Sequence, residues 1–360
     1  MNVFLVDLES VETRYTGQWK TYVPQMLRDN GFEVRVITGP TNIPPATSPG
    51  AFLNFGGTNI YKAQQTGQIA ELFCANLVEA GDYFLFTDAW HPGIINLKYM
   101  SELLNIPVKI GALWHAGSYD PADFLGRLIG DAPWVRHAEQ SFYHAIDHNY
   151  FATDFHIELF SRTFSETEDA EWKNTQIDSA KIIRTGWPMD YMPGTLAPYA
   201  NLQKRDLIVF PHRIAPEKQV DIFRMLAKAM PQYEFVVCQD KQLTKHEYHT
   251  LLGEAKIVFS ASLQETLGIG CYEGALVGAI PMVPDYLSYQ EMYFSVFKYP
   301  SRWIETGVEL ASLQSLAHTI IQHIDYYETR LPKLKKQAEN LTQHFFTATD
   351  LVNNLKSFDK

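Results

Sequence analysis

The sequence predicts an α/β protein of two doubly wound, Rossmann-like domains in tandem. Short apolar, β-rich runs alternate with amphipathic helical patterns, as in a parallel sheet with crossover helices. The alternation stops at a turn-rich segment, Pro193-Gly194 to Pro198, and then restarts. A chain of 360 residues also suits two cores better than one.

In the first domain, 1–192, strand runs fall at 3–7, 33–38, 83–87, 108–113 and 181–185, with helical stretches near 18–30, 61–79, 93–104 and 134–147. In the second, 193–342, strands are expected at 207–210, 234–238, 256–260 and 280–283. Helices are expected there at 217–229, 244–253 and 270–277. Further helices at 310–329 and 332–346 lead into the last segment, 343–360, read as a short helix crossing back. Ligands of such sheets bind at the carboxyl ends of strands, so the expected site lies in a cleft between the two domains.

Composition narrows the function. The chain is 46% apolar and 20% charged, ordinary for a globular protein. No apolar run is long enough for a membrane span, and Asp7 interrupts the first apolar run, which reads as a strand rather than a signal peptide. Three cysteines (Cys74, Cys238, Cys271) stand singly, so a reducing, cytoplasmic setting is expected, with no disulfide frame or metal site. The net charge of −11 is lopsided: residues 1–192 hold 13 Lys/Arg against 23 Asp/Glu, and the rest hold 17 against 18. An acidic first half is a poor surface for anionic lipid or duplex DNA. No G-x-G-x-x-G follows the first strand, which excludes a dinucleotide oxidoreductase.

Chemistry concentrates in the second half. In Ser262-Leu-Gln-Glu-Thr-Leu-Gly-Ile-Gly-Cys-Tyr-Glu273, two carboxylates, Glu265 and Glu273, flank the turn Leu267-Gly268-Ile269-Gly270 at a helix start. One acid before a helix N-terminus, one inside it and backbone amides between them can hold an anion and hydroxyls together. A sugar diphosphate presents that combination. Upstream, Pro211-His-Arg-Ile-Ala-Pro-Glu-Lys218 puts Arg213 and Lys218 at a strand exit and helix start, where two cations suit a diphosphate.

Arg-x4-Lys followed by Glu-x7-Glu resembles the retaining glycosyltransferases of the GT-B fold, the GT4-like group. Gly17 after the first strand, Glu139 on a helix and Thr185-Gly-Trp-Pro-Met-Asp190 before the linker resemble that family more loosely. The resemblance implies a GT-B architecture and transfer of a hexose or pentose from a nucleotide-diphosphate sugar with retention, without metal. It implies that Glu273 binds the ribose, that Glu265 holds the sugar hydroxyls, and that Arg213, Lys218 and the amides of Leu267, Gly268 and Ile269 take the diphosphate, with Gly17 nearby. His115 would lie under the donor sugar. Asp88 and His91 end the preceding strand and are candidates for binding or activating the acceptor hydroxyl.

The segment Val283-Pro-Asp-Tyr-Leu-Ser-Tyr-Gln-Glu291 looks like part of the tRNA-queuosine mannosyltransferases and of phage enzymes that glycosylate hydroxymethylated DNA bases. A modified DNA or RNA base is therefore the expected acceptor. A glycan, glycolipid or small-molecule acceptor, and a nucleotide-sugar epimerase of the same fold, are the alternatives.

Overall fold

The structure is a computed structural model, which describes residues 2–10, 14–43, 54–130, 132–165, 177–305 and 309–358. The chain divides into two compact units. One is formed by 1–188 with 349–360, the other by 189–348.

The first unit contains a six-stranded parallel sheet of β1 (Asn2–Val6), β2 (Glu33–Ile37), β3 (Tyr83–Phe86), β4 (Lys109–Trp114), β5 (His148–Phe151) and β6 (Ile182–Arg184). Its spatial order is β2-β1-β3-β4-β5-β6, so strand order reverses between β1 and β3. The second unit holds β7 (Arg205–Phe210), β8 (Glu234–Val237), β9 (Ala255–Phe259), β10 (Ile280–Pro284) and β11 (Lys298–Tyr299). This sheet is also parallel, in the order β11-β10-β9-β7-β8, with its reversal between β7 and β9. Parallel strands are covered on both faces and so read as unbroken apolar runs. Leu207–Phe210 and Ile257–Phe259 show this, each residue being fully buried.

Helix ends follow local chemistry. Thr244 and Glu247 form a reciprocal capping box at the start of helix Lys245–Glu254. Gly274 has no side chain, which lets helix Ile269–Leu276 lie on β9; a Cβ there would come within 2.9 Å of Val258 Cβ. The final helix, Thr349–Ser357, packs in the first unit. Asn354 accepts a hydrogen bond from Tyr150 at 2.6 Å, and Phe358 stacks on His148 at 4.2 Å.

Several elements differ from the sequence expectation. Strands β5 and β11 have four and two residues, too short for a periodicity to show. The helix expected at 61–79 runs Phe55–Cys74, capped at its start by the Asn54 side chain. Helix Asp154–Ser165 was not expected at all. The break between the last long helices falls at Tyr326 instead of before Pro332, which the second helix, Tyr327–His344, absorbs in its first half.

Candidate functional site

The reversal between β7 and β9 places two loops side by side at the strands' carboxyl ends. β7 leads into Pro211–Lys218, and β9 into 260–268. They are sewn together by Leu263 N–H to Glu217 O at 2.8 Å and by the Gln219 side chain to Ala261 O at 2.9 Å. Gln219 takes a left-handed conformation, φ 51°, between the single 3₁₀ turn Pro216–Lys218 and helix Val220–Ala229. That turn aims Lys218 inward. Its Nζ lies 2.8 Å from Glu265 Oε2 and also donates to the Gln264 carbonyl.

Burial alone would raise the Glu265 pKa. The Lys218 charge beside it and the Gly268 N–H outweigh burial and hold the carboxyl below its usual range. His212 stands with Nδ1 3.7 Å from Glu265 Oε2, and burial pushes its pKa down to about 4, so the ring is neutral near pH 7. Arg213 pairs with Glu217 and stays partly exposed at 29%.

Gly268 adopts φ 62°, ψ 51°, and so turns the chain into helix Ile269–Leu276. A side chain there would also collide with the Tyr289 ring, 2.6 Å from a built Cβ. The first intrahelical bonds run from Cys271 and Tyr272 to the Gly268 carbonyl, which leaves the amides of Ile269 and Gly270 opening the helix. Leu267 is 1% exposed and anchors the turn. On the same helix, Glu273 accepts a 2.6 Å hydrogen bond from Tyr248, and His249 Nε2 lies 3.7 Å away. Both partners come from helix Lys245–Glu254, which the sequence predicted as a helix at 244–253 without assigning either residue to the site. Segment 283–291 also belongs here: Tyr289 bonds Ser260 at 3.1 Å beneath Gly268.

In the first unit, the carboxyl ends of β1, β3 and β4 gather Asp7, Asp88 and His115. Asp88 pairs with Lys62 at 2.7 Å and accepts from Trp90 N–H at 3.0 Å. Burial would raise its pKa, but Lys62 wins and keeps it below the usual range. His115 Nε2 is 2.6 Å from the Thr87 carbonyl, which can only accept, so Nε2 carries the proton. Nδ1 sits 2.7 Å from the Tyr15 hydroxyl. Burial lowers the His115 pKa, and the neutral ring packs among Tyr15, Trp19 and Trp187.

His91 is 2% exposed. Its Nδ1 accepts from Gly93 N–H, and Nε2 meets Gln65 Oε1 at 3.0 Å. Gln65 in turn donates to Asp7 and the Ile37 carbonyl, so His91 lies inside the sheet's polar support. Gly17 is the third residue of helix Tyr15–Asp29, its N–H turned onto Arg14 O at 3.2 Å. Glu139 is fully buried and accepts from Trp90 Nε1, Ser118 N–H and Ser118 Oγ, which ties the loops after β3 and β4 together.

Among the described residues, no group of three or more His, Cys, Asp or Glu could hold a metal, and no helix is long and apolar enough to cross a membrane. Cys238 and Cys271 are buried, and burial pushes the Cys238 thiol up to about 12.

Comparison with solved structures finds the same architecture. The catalytic domain of starch synthase IV from Arabidopsis thaliana, bound to ADP and acarbose, superposes with a TM-score of 0.60 at 10% identity, covering 99% of this chain and 98% of that one. The fold is GT-B. Sucrose-phosphate synthase from Thermosynechococcus elongatus gives 0.59 at 11%, covering 99% and 98%. The pneumococcal O-GlcNAc transferase GtfA, in complex with UDP and GlcNAc, gives 0.52 at 14%, covering 83% of this chain. The chain spans 60% of the length of that transferase. At these identities the likeness is one of fold. No model of a protein family matches the chain, and no curated protein sequence matches it.

Proposed function

We propose that this GT-B protein is a retaining glycosyltransferase that moves a hexose or pentose from a nucleotide-diphosphate sugar to an acceptor hydroxyl. The observation that carries the reading is the Lys218–Glu265 pair at the β7/β9 reversal, 2.8 Å apart, beside Arg213 and the helix start at Gly268. Lys218 has three N–H donors and uses two of them on Glu265 and Gln264, so the third suits a phosphate oxygen. Arg213 and the amides of Ile269 and Gly270 add positive charge and the positive end of the helix dipole. Glu265, kept ionised, accepts from sugar hydroxyls. Glu273, steadied by Tyr248, accepts from the ribose hydroxyls.

As the bond from the anomeric carbon to phosphate breaks, its electron pair stays on the leaving diphosphate, where fixed cations stabilise it. The acceptor oxygen bonds the same face, and its proton passes to the leaving phosphate oxygen. Asp88, ionised by Lys62, receives the acceptor hydroxyl as a hydrogen-bond acceptor. Both His115 nitrogens are engaged, so it orients the Tyr15 hydroxyl instead of acting as a base. His91 supports the loop.

The acceptor we favour is the hydroxyl of a neutral saccharide. Segment 283–291, which suggested a modified nucleic-acid base, packs Tyr289 under the donor loop. The acceptor-side strand ends carry Asp7, Glu9 and Asp88 beside Lys20 and Lys62, a mixed-charge rim that suits hydroxyls better than a phosphate chain. The test is a calorimetric panel of UDP-, ADP- and GDP-sugars, followed by incubation of the bound donor alone, with simple glycans, and with plain and hydroxymethylated DNA and tRNA. Lys218→Ala and Glu265→Ala are each expected to lose turnover by orders of magnitude with unchanged circular dichroism. Near wild-type transfer in both variants would sink the assignment. Conversion of the sugar without acceptor would mark an epimerase, and transfer to nucleic acid only would restore the base reading.

A further inference from the structure

Lys204 stands just before β7, at the end of the second sheet away from the donor loops. Its Nζ donates to the Val277 carbonyl at 2.7 Å and to the Ala255 carbonyl at 2.9 Å. Val277 is the C-cap of helix Ile269–Leu276, and Ala255 is the C-cap of helix Lys245–Glu254. One ammonium therefore joins the negative ends of two helices. Among the described residues no carboxylate opposes its burial, which pushes its pKa down to about 7. The corner is closed by Gly278, φ 84°, where an added Cβ would sit 3.4 Å from Lys204 Cε, and by Tyr327, whose hydroxyl donates to Gly278 O at 2.6 Å.

These two helices carry the carboxylate proposed to bind the ribose and the groups that hold it. Glu273 is on one, and Tyr248 and His249 are on the other. Tyr248 meets Glu273 at 2.6 Å only if the helices keep their spacing and their positions along their axes. We propose that Lys204 is a positioning residue for nucleotide binding: by clamping both helix C-termini it fixes Glu273, one turn before Val277, against Tyr248, two turns before Ala255. The proposal rests on the reading of Glu273 as the ribose ligand. Arg213 and Lys218 stand on the loop after β7, off both clamped helices, and would grip phosphate without Lys204.

That separation supplies the test. Binding of UDP, ADP, GDP and inorganic pyrophosphate is measured by calorimetry for the wild type, Lys204→Met and Lys204→Arg. Loss of the clamp in Lys204→Met is expected to weaken the preferred nucleoside diphosphate by about tenfold or more, with pyrophosphate within about twofold of wild type. Lys204→Arg, which keeps the charge and two donors, is expected to recover most of the loss. If Lys204→Met does not fold, Lys204→Gln, which keeps N–H donors without charge, is expected to show the same split. Equal weakening of both ligands would reduce Lys204 to a stability role, and nucleotide affinity within twofold of wild type would overturn the clamp. A wild type that binds pyrophosphate but no nucleoside diphosphate any better would instead overturn the ribose assignment of Glu273.

Discussion

Tyr248 contributes one hydroxyl to the donor site, and that hydroxyl reaches the Glu273 carboxylate directly. A hydrogen bond to a charged group contributes about 1.5–3 kcal/mol. Tyr248→Phe is therefore expected to weaken nucleotide binding by roughly tenfold or more while leaving the fold intact, and calorimetry with the preferred nucleoside diphosphate measures it. Gly268→Ala should do more. It forces a left-handed backbone on a residue with a Cβ and drives that Cβ into Tyr289, so both thermal stability and turnover should fall. The order Arg213, Lys218, Glu265, Glu273 was legible in the sequence because charged side chains at fixed spacings stand out among apolar strands. The contact of Lys218 with Glu265 was not, since it depends on which strands are neighbours. Tyr248 and Lys204 were silent for a further reason: their partners are a distant carboxylate and two backbone carbonyls, and a carbonyl leaves no mark in a sequence.

Helix Lys245–Glu254 shows how an element's end chemistry bears on the site. Its capping box, Thr244 with Glu247, fixes the turn that presents Tyr248. Thr244→Ala should cost about 1 kcal/mol. In a unit of this size that is a Tm drop of about 2–4 °C, readable by differential scanning. A modest loss of nucleotide affinity should accompany it, and a Tm drop without any loss of affinity would separate the cap from the site. Among the strands, the long, wholly apolar β7 and β9 were plain in the sequence because burial on both faces leaves no polar break. β5 was hidden because its four residues, His-Asn-Tyr-Phe, mix polar and aromatic side chains: Tyr150 and His148 both hydrogen-bond the buried Tyr83 hydroxyl, and Asn149 accepts from Trp114. A strand stabilised by side-chain hydrogen bonds in this way does not advertise itself by hydrophobicity.

Across the molecule, buried histidines set the response to acid. Burial lowers His91 to about 3 and His148, His212 and His323 to about 4, below the ordinary value of 6.5. Between about pH 6.5 and 4 the unfolded chain binds these protons and the folded chain does not, so stability falls as pH falls through that window. Asp123, raised to about 6 chiefly by burial, and Asp7 and Glu139, also raised by burial, have the opposite sign and offset part of this loss. Thermal midpoints should therefore drop steadily from pH 7 to 4.5. A flat profile would mean that the histidines charge within the fold.

The two-unit architecture was legible in the restart of the strand–helix alternation, because each sheet needs its own set of crossover helices. The return of the last helix to the first unit rests on long-range contacts, among them Asn354 to Tyr150, Phe358 to His148 and Tyr83, and Lys356 to Asn30, which no local pattern encodes. Near the second unit's own ends, the Asp190 carboxylate accepts from Thr347 Oγ at 2.9 Å and from Ala348 N–H at 2.8 Å. The two ends of segment 189–348 thus lie side by side, joined through the Asp190 carboxylate. The segment is a cassette in the topological sense: the rest of the chain could be joined across the gap, or another cassette threaded into it, without either piece having to reach far to close.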